Sequence, residues 1–165
     1  VPQLQNNSLF RRSLYVKNFF DQNAGQQFKD RLANLRSESE RQWGKMNAAQ
    51  MVAHLCKGME QAMGEVLPPR ILFGRIIGRF VKSHVLRDDD PLRRNTPTVP
   101  GFVITDERNL GAERQRLYTL IDRAVASGPA CCTTHPHSFF GPLTQEQWGI
   151  LIYKHLDHHL RQFGV

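Results

Sequence analysis

Two histidines near the C-terminus, His155 and His159, stand four residues apart in the stretch Tyr153 to Phe163. At about 100° per residue of helix, Trp148, Ile152, His155, Leu156, His159 and Phe163 share one arc, so two imidazoles lie within an apolar stripe. An imidazole removed from water without a polar partner is costly, and side chains at i and i+4 lie one above the other. Two arrangements satisfy such a pair. In one, both rings bind a single divalent ion at about 2.0–2.1 Å. In the other, both are core histidines hydrogen-bonded to carbonyls or water. His158 projects to the edge of the stripe and reads as flanking.

Several helices must position these groups. Phe28, Leu32 and Leu35 repeat at helical spacing, which predicts a first helix from about Asn23 to Leu35. Asn47 is a good N-cap for a second, running to about Leu67, where Pro68-Pro69 stops it. Val52, Leu55, Cys56, Met59, Ala62, Met63 and Val66 form its buried face. His54 stands off the centre of that face, near Met51 and Gly58, so the wheel leaves it either on the surface or facing a second neighbour in a bundle.

A third bundle helix is predicted from near Asp106-Glu107 to Gly128-Pro129, with Leu110, Leu117, Leu120, Ile121 and Ala124 inward. Glu113 falls on the same face, either close to the exposed first turns or buried as the orienting partner of a ligand histidine. Thr144-Gln145-Glu146-Gln147 is a capping box that launches the last helix.

The connections carry their own signals. From Arg70 to about Val85 an apolar pattern (Ile71, Leu72, Ile76, Ile77, Phe80, Val81) is interleaved with Arg70, Arg75, Arg79 and Lys82. Such a helix can lie on a membrane surface; the expectation is packing on the bundle, because Gly74 and Gly78 suit close helix contact. The run Arg87 to Pro100 reads as a long loop, with Asp88-Asp89-Asp90 as a solvated turn. Residues 130–143 hold Cys131, Cys132, His135 and His137 without a C-x-x-C spacing, so no structural zinc site is expected there. Phe139 and Phe140 are expected to plug one end of the core. Residues 1–18 read as an arm without assigned function, and residues 19–165 as one domain.

The bulk numbers agree with a soluble globular domain: 165 residues, 40% hydrophobic and 22% charged. A balance of 22 basic against 15 acidic side chains leaves +7, which favours anionic partners without choosing among them. Three cysteines without framework spacing argue for a reducing compartment. No run approaches the ~18 apolar residues of a membrane span, and the first twenty residues lack a signal-peptide core. A cytoplasmic location is expected. No Gly-rich phosphate loop, nucleophile elbow or internal repeat is present.

Two pieces together, Arg41 to Leu55 (RQWGKMNAAQMVAHL) and Trp148 to Gln162, resemble the DinB-like superfamily, and within it a branch of unassigned function. The resemblance covers about Phe19 to Val165. It implies an all-α, up-and-down four-helix bundle, here with an extra short helix and a long loop between the second and third bundle helices. It also implies a histidine triad at one end, falling on His54, His155 and His159. Three neutral histidines suit a divalent metal, zinc or nickel by ligand type, with a position left for water or substrate.

Some relatives are metal-dependent thiol transferases or hydrolase-like variants. The resemblance therefore implies a small-molecule substrate, with a low-molecular-weight thiol as one candidate; apart from it, no nucleic-acid partner is expected, and a homodimer is an allowed state. Whether the chain is an enzyme stays open. The second reading is a non-catalytic metal- or ligand-binding bundle of stress-response type. The loop His137-Ser138-Phe139-Phe140-Gly141 has Ser138 where the family pattern has proline, so no family role is carried over to His137.

Overall fold

The structure is a computed structural model and describes residues 15–165; residues 1–14 of the expected arm lie outside the described residues. It contains five α-helices: α1 (Ala24–Ala33), α2 (Ala48–Ala62), α3 (Leu72–Val85), α4 (Leu110–Ser127) and α5 (Gln145–Gln162). Two short 3-10 turns, Pro100–Phe102 and Gly128–Cys131, complete the elements, and no strand occurs among the described residues.

Helix ends follow from local chemistry. Asn47 and Gln50 exchange side-chain and backbone hydrogen bonds at the start of α2, and Thr144 and Gln147 do the same for α5. Helix α4 begins after the position expected, because the Asn109 side chain accepts from the Ala112 N–H and so caps it. Helix α2 ends at Ala62, well before Pro68. Gly64 adopts φ +78°, its N–H reaches the Gln61 carbonyl, and the Glu65 N–H reaches the Glu60 carbonyl. This pair of bonds is a glycine-ended Schellman cap, which closes the helix without the prolines.

Cross-helix partners give the directions. Lys29 pairs with Asp122, and Arg114 reaches the Leu35 carbonyl, so α1 and α4 are antiparallel. Phe28 meets Tyr153 and Arg31 meets Asp157, so α1 and α5 are parallel. Gln50 reaches the Asp106 carbonyl, Cys56 the Glu113 carbonyl, and Glu60 pairs with Arg116, which makes α2 and α4 parallel. His54 meets His155, while Gln162 lies against Trp43, so α2 and α5 are antiparallel. The four helices thus form a ring with α1 opposite α2, and the parallel neighbours α2 and α4 need a long crossover between them. Met51, Leu55, Leu117, Ile121, Leu156 and Leu160 fill the centre, with Phe19, Phe28, Leu32 and Leu35 closing it.

Helix α3 lies in that crossover and is seated, as expected, through Gly74 and Gly78, but its partner is the loop before α5 and not a bundle helix. Its small-residue side is the buried one: Gly74 and Gly78 sit against the backbone of Phe139, with 2.6 Å from a Cβ built on Gly74 to the Phe139 oxygen. The apolar side chains Leu72, Phe73, Ile76 and Phe80 consequently point outward and are 62–75% exposed. Nor do Phe139 and Phe140 join the core. Phe139 packs against Phe73, and Phe140 stacks on His137 at 4.9 Å.

A Cβ on Gly78 would overlap the Phe139 carbonyl. Gly78→Ala is therefore expected to lift α3 from its seat at a local cost of about 1–3 kcal/mol. Hydrogen exchange and limited proteolysis should accelerate across residues 70–85, with little change in the melting of the bundle.

Candidate metal centre

The geometry begins with Gly58, one turn after His54 on α2. A Cβ there would come within 2.8 Å of both Cε1 and Nδ1 of the His155 imidazole, so only glycine lets α5 lay this ring against α2. Across the gap, His54 Nε2 and His155 Nε2 are 2.8 Å apart. His159 completes the group, its ring centroid 4.7 Å from that of His54 and 4.9 Å from that of His155. One ring nitrogen from each of the three lies within 4.8 Å of the others.

Hydrogen bonds settle the tautomers of two members. His54 Nδ1 is 2.8 Å from the Phe102 carbonyl, which can only accept; Nδ1 therefore carries the proton and Nε2 the lone pair. For His159 the logic runs through Gln162. The Gln162 Nε2 amide donates to the Trp43 carbonyl at 2.5 Å, which turns Oε1 toward His159. His159 Nδ1 then donates to that Oε1 at 2.8 Å, leaving Nε2 free. A ring N–H held by a carbonyl or amide oxygen is the usual outer support of a metal-bound imidazole.

Burial keeps these groups neutral. His54 is almost wholly buried, and loss of solvent lowers its pKa, partly opposed by the bond to Phe102. Burial carries His155 well below the ordinary histidine value, with His54 and His159 adding to the effect. His159 is pushed down to about 3 by burial first and by His54 second. Neutral imidazoles are the form that binds a divalent ion. Three neutral imidazoles with one ring nitrogen of each within 4.8 Å of the others thus form a donor set that fits such an ion.

The rim is built by the lead-in to α2 and by the crossover. Trp43 stands 5.5 Å from His158, with the Arg94 guanidinium 4.2 Å over its ring. Gly44, at φ +82°, leaves room for the Gln162 amide, with which a Cβ would collide. Phe102 approaches the His54 ring edge-on at 6.3 Å.

Other candidate residues sit elsewhere. The Glu113 carboxylate is buried but held by Arg108 at 3.1 Å and Arg116 at 3.2 Å, and the oxygen partners of the triad are Phe102 and Gln162. His137 is structural, its Nδ1 accepting from the Phe139 and Phe140 N–H groups at 3.1 Å each. Burial pushes the thiols of Cys56 and Cys132 up to about 12, which leaves neither as a ready nucleophile. Sequence reasoning missed Gly58, the Phe102 carbonyl and Gln162. Two carried a signal: Gly58 lies at i+4 from His54, and Gln162 at i+3 from His159, where a helix brings side chains together.

An all-helical bundle with three converging histidines is the class of protein that these features define. The chain belongs to the family described as "Protein of unknown function (DUF1569)", whose model matches residues 17–164. No curated protein and no solved structure matches it.

Gly58→Ala is expected to displace the His155 ring and weaken binding of zinc at least about tenfold, measured by competition with a chromophoric chelator. His137 gives a pH test. Burial, with Arg70 adding to it, lowers its pKa to about 4, so the unfolded chain takes up a proton from pH about 6.5 while the folded one does not. Stability should fall as pH drops through that window, by up to about 1.4 kcal/mol per unit from this residue alone. Urea melts at a series of pH values should show a shallower slope for His137→Asn, whose side-chain oxygen can take over the two N–H bonds.

Proposed function

We propose that His54, His155 and His159 hold one divalent ion, zinc or nickel by donor type, and that the site acts on a small electrophile using a thiol or water. The observation that carries this reading is the convergence of three imidazoles, one ring nitrogen of each within 4.8 Å of the others, with Nδ1 of His54 and of His159 each tied to an oxygen. The DinB-like resemblance of Arg41 to Leu55 and of Trp148 to Gln162 supports the same assignment.

A divalent ion held by three histidines supplies Lewis acidity that makes a thiol or water more acidic. The chain's own groups position and shield it. Gln162 orients His159, the Phe102 carbonyl orients His54, and Gly58 sets the distance of His155. Because burial raises the pKa of all three thiols, Cys56, Cys131 and Cys132, a reacting thiol would come from a small molecule. Arg94, stacked on Trp43 at the rim, offers a cation to an anionic thiol.

A non-catalytic metal- or ligand-binding bundle is the second reading. It is favoured by how closely Phe102, His158 and Trp43 crowd the three rings. Metal analysis of tag-free protein purified without chelator should give close to one ion per chain, lost in His155→Ala and in His159→Ala with helical content retained. Gln162→Ala should keep the ion with affinity reduced about 10–100-fold. Cobalt-substituted protein distinguishes the two readings, since its visible spectrum should shift on adding a small thiol if a coordination position is open. Wild-type protein that takes up no zinc, nickel or cobalt would overturn the metal assignment.

A further inference from the structure

Helix α3 is attached to the bundle by its narrowest side. Gly74 and Gly78 meet the Phe139 backbone, the Ile71 N–H donates to the Ser138 carbonyl at 3.0 Å, and Lys82 Nζ reaches the Pro142 carbonyl at 2.9 Å. At its other end the buried Lys154 donates to the Val85 carbonyl at 2.5 Å. The helix is therefore held in a fixed orientation, and its outward face is set by the fold.

That face combines two features. Leu72, Ile76, Phe80 and Phe73 occupy an arc of about 100° and are 75%, 68%, 71% and 62% exposed, respectively. Arg75 and Arg79 line one edge of the arc, both exposed, and neither forms an ion pair among the described residues. From Val66 to Leu86 the sequence has Arg70, Arg75, Arg79 and Lys82 and no acidic residue; Arg87, just beyond α3, pairs with Asp88. Large apolar side chains beside unpaired cations, on a helix laid flat against its own domain, match the boundary between acyl chains and anionic headgroups.

We infer that α3 is a membrane-surface helix, which docks the domain on anionic lipid by inserting Leu72, Phe73, Ile76 and Phe80 while Arg75 and Arg79 stay among the headgroups. Charge decides against a second copy of the chain. Two such faces in an isologous contact would bring both arginine rows together, and α3 itself carries no acid to neutralise them. The binding is peripheral: no helix of the described residues is long and apolar enough to cross a membrane. The inference stands apart from the metal reading, and its test reads lipid rather than metal.

The test is co-sedimentation of the full chain with vesicles of phosphatidylcholine alone or with about 30% phosphatidylserine, at salt from about 0.1 M to about 0.5 M. Wild type should pellet with the anionic vesicles, much less with the neutral ones, and less at high salt. Phe73→Asp with Phe80→Asp should lose at least about tenfold in partitioning, because both side chains are exposed and their apolar contribution is removed. Arg75→Glu with Arg79→Glu should lose at least about tenfold on anionic vesicles only. Unchanged hydrogen exchange across residues 70–85, together with an unchanged melting temperature, would show that both variants fold and keep α3 in its seat. Wild type remaining in the supernatant, or variants that pellet like wild type, would overturn the inference. So would a dimer that Phe80→Asp dissociates in the absence of vesicle binding, which would assign the face to a second copy.

Discussion

The approach of α5 to α2 at Gly58 is the contact on which the centre of this protein depends. A helix packed through ordinary side chains would hold His155 away from His54; with no Cβ at position 58 the two imidazoles come to 2.8 Å between their Nε2 atoms. The contact brings together polar rings inside an apolar bundle, which is tolerable only if each ring has a partner. Phe102 and Gln162 supply two of these partners. The third ring faces the lone pair of the first, an arrangement that a shared proton or a cation would satisfy.

That constraint gives the crossover a purpose. Because α2 and α4 run parallel, the chain must travel the length of the bundle between them, and residues 63–109 do so. On the way they place the Phe102 carbonyl on His54 and Arg94 on Trp43. The same segment carries α3 along the outside of the molecule. One topological necessity thus builds both part of the rim beside the histidines and an exposed basic, apolar helix, whose end is held by Lys154 on α5. The short lead-in before α2 contributes in a similar way: Trp43 orients Gln162 through its carbonyl, and Gly44 makes room for that amide.

Glu113 shows how a buried charge can be satisfied by its own neighbours in sequence. It lies on an apolar face, as its position on the wheel implied, yet its carboxylate is neutralised by Arg108 and Arg116. Both partners are nearby in sequence, at five residues before and three after, so the signal of a local ion-pair cluster was available. His137 is the comparable case in the loop before α5. Its unprotonated nitrogen serves two backbone N–H groups, a turn-forming role.

Periodicity and caps by themselves determined the helices of the bundle, because amphipathic spacing and the Asn47 and Thr144 boxes are local chemistry. They also placed His155 and His159 on one apolar stripe of α5. His54 could be joined to them only by resemblance, since its wheel position is off the centre of the face that packs on the core. The tertiary structure decided what spacing cannot carry: which helices are neighbours, that α2 and α5 close to imidazole contact at a glycine, and that distant Phe102 supplies an oxygen to His54. It also decided what α3 is seated on. Gly74 and Gly78 marked the packing side in the sequence, but only the structure shows that they meet the Phe139 backbone, with Ile71, Ile77 and Val81 half-buried beside them and Leu72, Phe73, Ile76 and Phe80 left outside.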